Sequence, residues 1–108
     1  MNKADEVIEI LSHLDDLRIE QLVEASGLSE ADVRELIEYG VFQPMGVRIE
    51  EWRFEGTALV LGRRLARLQQ AFELQAPGLA LVHAFIERID ALEREMRAMA
   101  CEGPPEER

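Results

Sequence analysis

Carboxylates outnumber every other side chain in this sequence that could do chemistry. Glu30, Asp32, Glu35 and Glu38 crowd one short stretch with only Arg34 against them, and Glu50 and Glu51 follow as an adjacent pair. Two carboxylates in a shaped site can act as acid and base. These lie in an acidic N-terminal half of the chain instead, and such neighbours are the ordinary background of an acidic surface. Other reactive types are sparse. Cys101 is the only cysteine, so it has no partner for an intrachain disulfide, and a reducing, cytoplasmic setting is expected. His13 stands alone, without a second ligand at helical spacing, and His83 sits among apolar neighbours as a core-edge residue. The sequence contains no Gly-rich phosphate loop, no Cys/His metal spacing and no nucleophile elbow. No cofactor, no metal and no catalytic residue are expected. Binding is the remaining chemistry, and the acidic residues are its candidates.

The element that must position them is a helix-turn-helix. Ile19, Leu22 and Val23 give a short first helix, and Gly27 makes the turn. Ser29 is an N-cap with Asp32 at the capping-box position. Val33, Leu36 and Ile37 then recur at helical spacing, Gly40 is placed to stop the helix, and Pro44 prevents its resumption. Such a motif suggests DNA, yet its second helix carries four acids and one base. Duplex DNA presents one negative charge per roughly 1.7 Å of axis, so this helix would be repelled.

Charge is unevenly spread along the chain. Of 22 Asp/Glu and 12 Lys/Arg, net −10, residues 1–62 hold 14 and 5. A field of that sign attracts basic partners and rejects nucleic acid and anionic membrane. The 108 residues suffice for one domain with its own core. Asp5, Glu6 and Glu9 behind Lys3 do not read as a signal peptide, and no apolar run reaches the ~20 residues that span a bilayer.

Four segments are expected in order. Residues 1–17 form an N-terminal amphipathic segment, with Val7, Ile8, Ile10, Leu11, Leu14 and Leu17 suggesting a short helix, and a strand over Val7 to Leu11 as the alternative. Residues 18–56 hold the helix-turn-helix and a small wing. In the wing Val47 and Ile49 alternate with Arg48, the parity slips at Glu50-Glu51, and Trp52 and Phe54 face inward together as anchors. Residues 57–100 form a helical hairpin. Thr57 caps a helix whose stripe is Leu61, Leu65, Leu68 and Phe72 and whose outward side bears Arg63, Arg64 and Arg67. After a break at Leu74 to Gly78, with Pro77 in the next first turn, Val82, Phe85, Ile89, Leu92, Met96 and Met99 follow heptad spacing. Leu79 extends that stripe backward, and Arg88, Glu93, Arg94 and Glu95 flank it. Ile89, Leu92, Met96 and Met99 are the candidate seam of a homodimer. Residues 101–108 form a disordered tail.

Taken together, the strings GLSEADVRELIEYGVFQP, EEWRF and RRLARLQQAFELQAPGLALVHAFIERIDALEREM resemble the chaperone modulatory protein CbpM family, small relatives of the MerR-type helix-turn-helix proteins. The resemblance covers roughly residues 18–99. It implies a mainly α fold, a MerR-like winged helix-turn-helix followed by a helix and a long coiled-coil-like C-terminal helix. It also implies a non-enzymatic regulator that binds the J-domain of a CbpA-type co-chaperone and prevents stimulation of the DnaK chaperone, and that lowers the co-chaperone's own DNA binding. J-domains of this class present a basic helix to DnaK, for which an acidic module is a competitor. Charge density then nominates Glu30, Asp32, Glu35, Glu38, Glu50 and Glu51 as partner-binding residues. Trp52, Phe54, Leu65, Leu68 and Phe72 are the structural anchors. The alternative is a MerR-like DNA-binding transcriptional regulator, dimerised through residues 79–99, touching DNA with Arg48, Arg53, Arg63, Arg64 and Arg67.

Overall fold

The computed structural model describes residues 3–102. Among the described residues the chain runs through helices α1 (Lys3–Ser12), α2 (Ile19–Ser26), α3 (Glu30–Glu38), α4 (Gly56–Phe72) and α5 (Ala76–Glu102), with a 3-10 turn at Ile49–Glu51 and no strand. This is the mainly α architecture that the sequence predicts. Of residues 101–108, expected as a tail, Cys101 and Glu102 instead continue α5, and 103–108 lie outside the described residues.

The helix-turn-helix forms through the local signals that predict it. Gly27 takes φ 93° and its N–H donates to the Val23 carbonyl, ending α2. Ser29 accepts the Asp32 N–H at 3.0 Å and starts α3. At the other end of α3, Gly40 takes φ 82° and donates to the Ile37 carbonyl at 3.0 Å, and Val41 donates to the Leu36 carbonyl at 2.8 Å. Those two bonds make a Schellman cap and satisfy carbonyls that the helix end would leave orphaned.

One apolar core joins all these elements. Leu17, Leu22, Leu28, Val33, Leu36, Phe42, Phe54, Leu59, Leu65 and Leu79 are buried in a single cluster, with Ile8 and Leu11 of α1 packed against it. α4 crosses both α1 and α2, and α3 packs against α5. The α2 and α4 backbones approach closely where Ser26 meets Gly62. A Cβ added at Gly62 would lie 2.9 Å from the Ser26 Cβ. Buried Ser26 is satisfied locally, its Oγ accepting the Leu28 N–H at 3.1 Å.

Three expectations are corrected here. The reversal after Pro44 is not a two-stranded wing. Met45 and Arg53 exchange both backbone bonds as an isolated bridge, at 2.8 and 3.0 Å, and the 3-10 turn fills the reversal. Val47 is left 95% exposed and Ile49 55%. The physical reason is that an alternation of three residues is too short to fix a buried face against competing turn geometry. Phe54 is buried as expected, held by a second bridge to Leu17, whereas Trp52 is only half-buried.

α4 begins one residue before Thr57. Glu55 is its N-cap and makes no side-chain capping bond, while the Thr57 Oγ1 reaches only the Glu55 carboxylate at 3.4 Å. The start is set by packing: Gly56 is buried, and a Cβ there would collide with the Ser12 carbonyl and lie 2.7 Å from the Leu14 carbonyl oxygen. Finally, Phe72 is not an anchor. It is 67% exposed on the last turn of α4, where the chain leaves the core through Glu73 at φ 53°, while Leu59 and Leu65 carry the packing and Leu68 is half-buried.

Candidate acidic interaction face

α3 buries Val33 and Leu36 and turns Glu30, Arg34, Glu35 and Glu38 to solvent. Its acidic first turn, Glu30 and Asp32, suits the positive end of the helix dipole. Arg34 is tied to Glu30 one turn earlier, its Nε and Nη2 both 2.9 Å from Oε2. This exposed pair contributes roughly 0.3–0.5 kcal/mol and neutralises one of the four acids. Glu35 and Glu38 have no cation within 4 Å among the described residues. Their charge is therefore presented to whatever approaches.

Asp32 departs from its expected role. It is half-buried, and its Oδ2 accepts a 2.8 Å bond from the Gln69 Nε2 of α4. The carboxylate thus clamps α3 to α4 and neither faces outward nor completes the capping box with the Ser29 backbone. Glu50 and Glu51 are exposed on the 3-10 turn. Glu50 joins Arg34 in lining an open cleft of about 460 Å³ at the start of α2, together with Arg18, Ile19, Glu20, Ile49, Trp52 and Arg53. Glu35, Glu38 and Glu51 do not line it.

The arginines do not form one basic face. Arg63, expected outward, is half-buried and its Nη1 donates to the Ala25 carbonyl at 3.1 Å, capping the end of α2. Arg64, Arg67 and Arg48 are exposed, and Arg53 lies in the cleft at the start of α2 with its Nη1 on the Trp52 carbonyl at 2.8 Å. The convergence of Arg18, Arg34 and Arg53 has no counterpart in sequence spacing, because three separate elements bring them together.

α5 offers a second surface. Leu79 is buried and Val82 half-buried, but Phe85, Ile89, Met96 and Met99 are each more than half exposed and Leu92 is 40% exposed. His83 is half-buried beside the stripe, its Nε2 3.3 Å from the Glu87 carboxylate. Among the described residues there is no group of three or more potential metal ligands and no helix long and apolar enough to cross a membrane.

Known proteins are similar to this chain in sequence. The model of the MerR HTH family regulatory proteins matches residues 17–100. The chaperone modulatory protein CbpM of Pseudomonas putida strain W619 is 33% identical over 79 residues, covering 73% of this chain and 78% of its own. That of strain GB-1 is 37% identical over 71 residues, covering 61% and 70%. The Citrobacter koseri protein of the same name is 31% identical over 74 residues, covering 68% and 73%. The family-model match takes in the whole helix-turn-helix, the turn after it, α4 and all but the end of α5, and with the identities to the CbpM proteins it shows that this chain belongs to the chaperone modulatory protein CbpM family, on a MerR-type helix-turn-helix.

Proposed function

We propose that this protein is a non-enzymatic chaperone modulator that binds the J-domain of a CbpA-type co-chaperone in the cytoplasm and keeps it from stimulating DnaK. Family membership supports the chaperone setting. The observation that carries the interface is the pair Glu35 and Glu38, exposed on α3 without an intramolecular cation among the described residues. A basic helix of the J-domain is the complementary surface, and complementary potentials speed encounter and fix register. Glu30, Glu50 and Glu51 extend the same field, whereas Asp32 supports it from inside. DNA is the poorer fit to α3, since phosphates and carboxylates would face each other.

The test is charge reversal. Glu35→Lys combined with Glu38→Lys is expected to weaken J-domain binding about tenfold or more, a loss of about 1.4 kcal/mol, with helical content unchanged. Unchanged affinity in the folded double variant would move the interface away from α3.

The stripe on α5 is the seam of a homodimer in this reading. Antiparallel pairing of two copies would cover the exposed Phe85, Ile89, Leu92 and Met96, with the mixed charges of Arg88 and Glu95 flanking them.

A further inference from the structure

The cleft at the start of α2 is the place where this acidic module gathers positive charge. Arg18 from the residue before α2, Arg34 from α3 and Arg53 from the end of the reversal all line it, beside Glu20, Glu50 and Trp52. Arg34 is occupied by Glu30. Neither Arg18 nor Arg53 has a carboxylate within 4 Å among the described residues, although two glutamates share their cleft. Arg53 is half-buried, its backbone pinned by both bonds to Met45 and its Nη1 spent on the Trp52 carbonyl, a neutral acceptor. Its charge is held in place and left uncompensated. In a chain with 22 acidic and 12 basic residues, two cleft arginines without an anion are a specific feature.

We propose that this cleft takes one carboxylate side chain of the protein partner, held by the Arg18 and Arg53 guanidiniums against the wall formed by Trp52. The guanidinium fork matches a carboxylate in two-point geometry, and a half-buried indole covers the aliphatic stem of an Asp or Glu. A single negative charge meets two arginines in this cleft that have no carboxylate within 4 Å among the described residues, whereas a row of phosphates would also meet Glu20, Glu50 and Glu30. The inference rests on the reading that the partner is a protein J-domain, and it adds a contact of opposite sign to that of Glu35 and Glu38. A surface that needs both a basic helix and one correctly placed acid rejects partners that are merely basic.

Double-mutant cycles decide it. Affinity for the J-domain is measured with the full chain, with Arg18→Gln, and with Arg18→Gln plus Arg53→Gln, against Asp→Asn and Glu→Gln variants of each exposed J-domain carboxylate. Arg18 is exposed, so its single substitution keeps the fold even if the double variant is weakened. The expected result is a loss of about five- to fiftyfold for Arg18→Gln, and one J-domain variant that loses a similar factor and is not weakened further by it. Arginine variants within twofold of the original affinity, or additive cycles with every J-domain carboxylate, overturn the proposal. So does a short duplex DNA that binds the full chain and loses binding in these variants. Failure of the unaltered chain to bind the J-domain would bring down the partner reading itself, and this inference with it; normal binding with indifferent arginines brings down only the cleft.

Discussion

Gly56 and Phe72 stand at the two ends of α4 and reverse what their residue types suggest. Phe72 is large and apolar yet mostly exposed, so Phe72→Ala is expected to change stability by less than about 0.5 kcal/mol. Gly56 is the smallest residue possible, yet its missing Cβ is what lets α4 start beneath the Ser12 and Leu14 carbonyls. Those are backbone atoms that cannot rotate aside, so Gly56→Ala is expected to cost about 1–3 kcal/mol. Thermal melts of the two variants check both values, since about 1 kcal/mol moves the midpoint of a domain this size by about 4–8 °C. The opposite order of destabilisation would show that the α1–α4 contact is looser than described. Neither role was legible in the sequence. Phe72 fits the heptad-like stripe of Leu61, Leu65 and Leu68, and only the end of the core beneath it removes its burial. Gly56 precedes a plausible cap at Thr57, and its packing partners lie more than forty residues earlier.

At the scale of the element, the signals that succeeded are those whose cause is local. The α3 cap at Ser29 and the Schellman stop at Gly40 depend on backbone groups within one turn, and both form where the sequence places them. The turn at 46–52 depends on what it packs against, and there the alternation of Val47 and Ile49 was a false guide. Gly46, at φ 117°, sends the chain outward, and a Cβ there would lie 2.8 Å from the Glu51 carbonyl oxygen. The cleft arginines were illegible for the same reason, being joined only in the tertiary fold. In α5 the heptad spacing was plain, the row is exposed in the single chain, and in the proposed dimer a second copy covers it. Ile89→Glu with Met96→Glu is expected to turn a dimer into a monomer in sedimentation, with the stability of residues 17–79 little changed, because both side chains lie outside the buried core. A monomer for the unaltered chain would contradict the seam.

In the proposed reading, partner binding and dimerisation are separated along the length of the molecule. The chain extends 58 Å by 34 Å by 29 Å, with the far half of α5 carrying an exposed apolar stripe. Residues 1–62 hold 14 Asp/Glu against 5 Lys/Arg and fold into the compact end that presents α3. A partner attracted by that end feels a field that salt screens, with a Debye length of about 8 Å at physiological ionic strength and about 3 Å at 1 M. Neither the fold nor the family name supplies the sign of that dependence; the exposed glutamates do. The decisive measurement is a calorimetric titration of the full chain with the isolated J-domain of its host's CbpA-like co-chaperone at two salt concentrations. Micromolar or tighter binding that weakens as salt rises is the expected result. Absence of binding at both concentrations, checked by a second method, would contradict the account, and affinity indifferent to salt would contradict its acidic face.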